Sequence, residues 1–78
     1  MRKRELKLIV TFATTEDAMA MEQACREQNG EGRLIPVPRT ISAGCGLAWC
    51  AAISSRTSLI QLMERAGIEA EAIQECTV

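Results

Sequence analysis

The sequence predicts an α+β sandwich of order βαββαβ, and three observations carry that prediction. Residues 5–12 alternate in the period of two expected of a strand. Two later stretches, 14–29 and 54–66, place apolar residues at helical spacing between a capping residue and a turn signal. Two internal stretches, 33–37 and 47–53, read as strands of opposite character, one interrupted by proline and the other apolar throughout.

Each element follows from its residues. Leu6, Leu8, Val10 and Phe12 alternate with Glu5, Lys7, Ile9 and Thr11, which predicts a first strand with one well-buried face. Thr14 or Thr15 caps a helix whose first turn carries Glu16 and Asp17, where the helix dipole favours negative charge. Ala18, Met21, Cys25 and Gln28 share one side of it, and it ends before Gly30. Met19 and Met21 read as core filler rather than as a pair of soft ligands. Asn29-Gly30-Glu31-Gly32 is a turn. Arg33 to Val37 is a strand, and Pro36, which cannot donate to a ladder, assigns it to an edge. Leu47 to Ile53 is apolar without alternation and belongs in the middle of the sheet, with Trp49 as a core residue. Ser54 and Ser55 cap a second helix with Leu59, Leu62, Met63 and Ala66 on one face. Gly67 stops it, with Ile68 as the hydrophobic partner of the stop. Glu69 to Val78 is the last strand.

Right-handed crossovers fold that order most simply into a ferredoxin-like sandwich, an antiparallel four-stranded sheet with both helices on one face and strands one and three in the middle. The whole chain, residues 1–78, reads as one domain. A chain of this length buries only about 60% of its unfolded surface, so a surface site is expected rather than an enclosed one.

Composition narrows the function. Four cysteines at irregular spacing, in a chain that is 47% apolar, read as reduced thiols beside an ordinary core rather than as a disulfide scaffold. The basic start Met1-Arg2-Lys3-Arg4 is followed by too short an apolar run for a signal peptide, and no stretch approaches a membrane span; a cytoplasmic protein is expected. A net charge of −1, with one Trp, one Phe and no Tyr, supplies neither a basic field nor stacking platforms for nucleic acid. Histidine is absent, which removes the usual general base and the commonest metal ligand. With no close cysteine pair either, no metal site and no cofactor are expected.

The segment with the most chemistry in it is Ile35-Pro36-Val37-Pro38-Arg39-Thr40-Ile41-Ser42-Ala43-Gly44-Cys45-Gly46-Leu47. Gly44 and Gly46 flank Cys45 and leave it without steric cover, as a presented thiol requires and a buried one does not. The plainer alternative is an ordinary turn with Cys45 as a bystander. In the predicted topology the connection between strands two and three lies where strand one finishes, so Cys45 is expected near Thr14 and Thr15. There the amides at the start of the helix, with Arg39, favour a thiolate. Cys25, Cys50 and Cys76 map elsewhere and are expected to be buried. Cys50 is a secondary thiol candidate, but five residues of extended strand separate it from Cys45 by about 16 Å, too far for a disulfide unless the segment coils.

Arg33-Leu34-Ile35-Pro36-Val37-Pro38-Arg39, then Ile41-Ser42 and Cys45-Gly46-Leu47-Ala48, resemble a family of small bacterial and archaeal selenium/sulfur carrier-like domains. The helix opening Thr14-Thr15-Glu16-Asp17-Ala18 and the later Ala66-Gly67-Ile68 extend the resemblance over nearly the whole chain. It implies that Cys45 is the carrier thiol and that Pro36, Pro38, Arg39, Ser42 and Gly46 form the loop that presents it. Ala43 and Gly44 stand where serines are also expected, and the Cys-Pro-x-Pro signature of other small sulfur-relay proteins is absent.

The leading expectation is therefore a carrier rather than an enzyme. Cys45 takes sulfur or selenium from a donor enzyme such as a cysteine desulfurase, holds it as persulfide or selenosulfide, and passes it to an acceptor enzyme. The competing expectation is a regulatory module in which the loop, with Arg39, Ser42, Gly44, Gly46, Thr14 and Thr15, binds a small anion or a partner's acidic group. A homodimer paired through an edge strand is a third arrangement the pattern allows.

Overall fold

A computed structural model describes residues 5–39, 41 and 46–77. Within them the chain forms β1 (Leu6–Thr11), α1 (Thr15–Gln28), β2 (Arg33–Pro36), β3 (Leu47–Ala51), a short 3-10 turn (Ile53–Ser55), α2 (Arg56–Ala66) and β4 (Ala72–Thr77). The strands make one antiparallel sheet of order β2-β3-β1-β4. This is the ferredoxin-like arrangement, with β1 and β3 central and the proline-bearing β2 at an edge, as the sequence predicts.

The register divides the sheet into two faces. Leu8 lies opposite Ala51 and Val10 opposite Trp49. These four side chains pack against Ala18, Met21, Ala24 and Cys25 of α1 and Leu59, Leu62 and Met63 of α2, forming the main core with Phe12 and Ile68. The alternate residues face away from the helices, with Ile9 opposite Cys50 and Thr11 opposite Ala48. Here the structure departs from the single buried face expected of strand one, because Ile9 and Thr11 are both fully buried. Ile9, Ala48 and Cys50 make a second apolar cluster, covered by Ile35, Val37, Ile41 and Cys76. Thr11 satisfies its hydroxyl by donating to the Ala72 carbonyl at 3.4 Å.

The helices begin and end by different devices. Thr14 caps α1, its hydroxyl accepting from the Asp17 N–H at 3.2 Å, and Thr15 is the first helical residue. The face of α1 turned to the sheet carries Ala18, Met21, Ala24 and Cys25, whereas Gln28 is exposed and Met19 stands half out of the protein. Met19 is therefore not core, in contrast to Met21. No side chain caps α2. Ser55 is instead buried, and its hydroxyl donates to the Glu31 carboxylate at 2.8 Å. The third strand is shorter than expected because residues 53–55 turn into the helix, and Ala66 is exposed rather than on the packed face. Gly67 ends α2 in the left-handed conformation, and the buried Ile68 donates its N–H to the Met63 carbonyl at 2.9 Å. The final strand spans Ala72–Thr77, inside the wider range that its weak alternation suggests.

Glu31 ties the start of β2 to the core. Its carbonyl accepts from the Trp49 indole N–H at 2.9 Å, which gives the buried ring its one polar partner. That approach requires Gly32, which has φ +112° and where a Cβ would lie 2.5 Å from both the Cys50 carbonyl oxygen and Trp49 Nε1. Gly32→Ala is expected to destabilise the fold by at least about 2 kcal/mol, through the positive φ and the overlap together, and to lower Tm by about 10 °C or more. A thermal melt with a wild-type Tm for this variant would refute the close approach.

Burial pushes the Cys25 thiol above its ordinary value of 9.0. The unfolded chain loses this proton first as pH rises, so stability present below pH 9.0 falls as pH climbs toward the higher native value. In Cys25→Ala the decline of unfolding free energy above pH 9.0 is expected to be shallower, measured by urea titration at a series of pH values.

Candidate functional site

The connection between β2 and β3 is anchored at both ends. Val37 donates its N–H to the Gly46 carbonyl at 2.9 Å, which carries the pairing of the two strands one step past the ladder. Ile41 donates to the Pro38 carbonyl at 3.0 Å and closes a turn around Arg39. Pro38, with φ fixed and no N–H to satisfy, suits the entry to such a turn. Arg39 is exposed, and among the described residues it has no ion pair.

Gly46 has φ +76°, and a Cβ there would meet nothing within 4 Å. The glycine is therefore required by its backbone conformation and not by crowding. Because Thr11 pairs with Ala48, Gly46 and Leu47 lie at the end of the sheet where β1 finishes and the Thr14 cap follows. That is the end at which the sequence places the Cys45 loop. Val37 and Ile41 turn toward the face opposite the helices and pack on Ile9, Ala48 and Cys50. Ser42, Gly44 and Cys45 lie outside the described residues, as does the expected approach of Cys45 to Thr14 and Thr15.

The other three thiols follow the expected distribution in part. Cys25 is buried under the helix-covered face, and Cys50 is buried on the opposite face in the body of β3. Cys76 is only half-buried, opposite Lys7 near the far end of the sheet. Among the described residues no three potential metal ligands come together, and no helix is long and apolar enough to cross a membrane.

A group of residues that sequence reasoning did not assemble lies beside Cys50. Arg33 is directly opposite it on β2, and Lys7 is two residues from its other cross-strand neighbour, Ile9. Alternation along β1 signals that Lys7 and Ile9 share a face, but only the register of β2 against β3 brings Arg33 into the same row. A separate polar groove of about 420 Å³, at the end of the sheet away from the Cys45 loop, is lined by Asn29, Glu31, Ser54, Ser58 and Arg65.

A family model described as "Putative Se/S carrier protein-like" matches residues 7–75, a span that includes the β2–β3 connection and its cysteine. No curated protein and no solved structure shows a significant match to the chain. Gly46→Ala is expected to lower stability by about 1–2 kcal/mol through its positive φ alone, and Gly46→Asn by less, since asparagine tolerates that conformation better. Equal denaturation midpoints for the glycine and alanine proteins would show that φ at position 46 is not constrained.

Proposed function

Because this chain belongs to the Se/S carrier protein-like family, we propose that it carries sulfur or selenium on Cys45 and relays the atom between partner enzymes. The observation that carries the reading is the family match across residues 7–75 of a chain in which Cys45 stands between two glycines, Gly44 and Gly46. Other features support it. The loop that bears Cys45 has its base closed by the Val37–Gly46 hydrogen bond. Cys25 and Cys50 are buried, so neither competes readily for a bulky protein donor.

The chemistry asks little of the carrier. The Cys45 thiolate attacks the outer chalcogen of a donor's persulfide or selenosulfide. A new bond forms from Cys45 sulfur to that atom, the donor's own bond to it breaks, and the electron pair leaves with the donor thiolate. No oxidant is consumed, and no general base is needed once the thiol is ionised. The partner's active site supplies the enclosed environment that a domain of 78 residues lacks. Arg39, solvated on the loop, contributes a positive charge to attract the donor or the anionic product. Cytoplasmic residence and partners of the cysteine desulfurase type belong to this same reading.

Peptide-mapped mass spectrometry after incubation with a cysteine desulfurase and either cysteine or selenocysteine, so that the donor carries the chalcogen as persulfide or selenosulfide, tests it. The expected result is one added chalcogen on Cys45, absent from Cys45→Ser and acquired more slowly in Arg39→Ala. No adduct on Cys45, or equal labelling of Cys25, Cys50 and Cys76, would overturn it. Retained function in Cys45→Ser with loss in Arg39→Ala would identify an anion-binding module instead.

A further inference from the structure

A recess of about 390 Å³ at the start of β2 has a lining that includes Lys7, Glu31, Gly32, Arg33, Cys50 and Ala51. Cys50 is one of the lining residues, at 9% exposure, and lies on the same face of the sheet as Ile9 and Ala48. Arg33 stands directly opposite Cys50 across the β2–β3 pair, where facing Cβ atoms are about 5 Å apart. Arg33 is exposed and makes no ion pair among the described residues. Lys7 reaches the recess from β1, and its contact with Glu5, 3.3 Å between a half-buried side chain and an exposed one, is too weak to hold it. The carboxylate of Glu31 is engaged by the Ser55 hydroxyl. Lys7, Arg33 and Cys50 thus line one concavity with a single, already hydrogen-bonded carboxylate.

We propose that this recess binds a small sulfur oxyanion of the thiosulfate class and that Cys50 takes the donor's outer sulfur. Lys7 and Arg33 hold the oxygen end of the dianion, with the guanidinium suited to two of its oxygens at once. The outer sulfur is then directed at Cys50. In the transfer, the Cys50 thiolate, its proton lost to solvent, attacks that sulfur. The new S–S bond makes a Cys50 persulfide, the donor's S–S bond breaks, and its electron pair departs on sulfite. Total charge and sulfur count are unchanged, and no external oxidant or reductant takes part. The two cations then face a sulfite dianion, so they favour cleavage as well as binding. This extends the carrier reading to a second thiol supplied by a free anion instead of a protein donor, and it rests on that reading for its biological sense.

The experiment uses the full chain with Cys45→Ser, so that the loop thiol cannot report. Thiosulfate labelled in its outer sulfur is added, released sulfite is measured, and each cysteine is mapped by mass spectrometry. The expected result is label on Cys50 in step with sulfite release, lost in Cys45→Ser/Cys50→Ser. Arg33→Gln and Lys7→Gln, surface changes that keep the fold testable if Cys50→Ser does not, should each weaken the transfer at least about tenfold, as loss of a charged hydrogen bond predicts. Label spread equally over Cys25, Cys50 and Cys76, or transfer to Cys50 unaffected by both glutamine variants, would overturn the proposal. Desulfurase-dependent labelling of Cys45 in the wild type, with no thiosulfate-dependent labelling of Cys50, would refute this inference and leave the carrier reading standing. Absence of both would refute both.

Discussion

The β1–β3 pair at the centre of the sheet must be kept dry on both faces, and the rest of the molecule is arranged around that requirement. Helices cover one face only. On the other, Ile9 and Thr11 are as fully buried as Leu8 and Val10, although no helix lies over them. Burial of an Ile side chain is worth about 2–3 kcal/mol, a large part of the net stability of a domain this small. The cover is drawn from the edge, as Val37 and Ile41 pack down on Ile9, Ala48 and Cys50. The β2–β3 connection therefore has a structural task as well as a candidate chemical one. The hydrophobic contacts of Val37 and Ile41 hold the described part of this connection against the sheet.

A second constraint acts at the opposite end of the sheet. Trp49 fills the helix-side core, and its indole N–H must find a partner there. It finds the Glu31 carbonyl, which brings the turn before β2 against β3 closely enough that position 32 admits no side chain. The same turn places the Glu31 carboxylate on Ser55 at the entry to α2. One residue thereby links the end of the first βα unit to the start of the second helix. The arrangement also orients Arg33, the next residue but one, into the row of the sheet that contains Cys50.

These two constraints separate the thiols by environment. Cys25 is desolvated among apolar neighbours and held protonated, as befits core filler. Cys50 is equally close to buried but faces a recess with two cations. Cys45 belongs to the segment that carries the family resemblance. Position along the chain says little about these differences, since all are single cysteines without a partner at short spacing. For Cys25 and Cys50, the face of the helix or sheet on which each falls sets its surroundings.

By itself the sequence determined the order of elements, the capping of α1 at Thr14 or Thr15, the stop at Gly67, the edge position of β2 and the central position of β3. Each of these depends on local covalent geometry or on an apolar pattern a few residues long. It also singled out the Pro38–Gly46 segment and its cysteine, because proline, arginine and glycine around a thiol are legible without a fold. Only the tertiary structure decided that β1 is covered on both faces, that Ser55 serves Glu31 rather than capping α2, that Met19 and Ala66 stay outside the core, and that Lys7, Arg33 and Cys50 line one recess. The physical reason is common to all of them. Each depends on the register between strands or on which surface a distant segment covers, and those are set by packing between residues far apart in the chain, which no local pattern encodes.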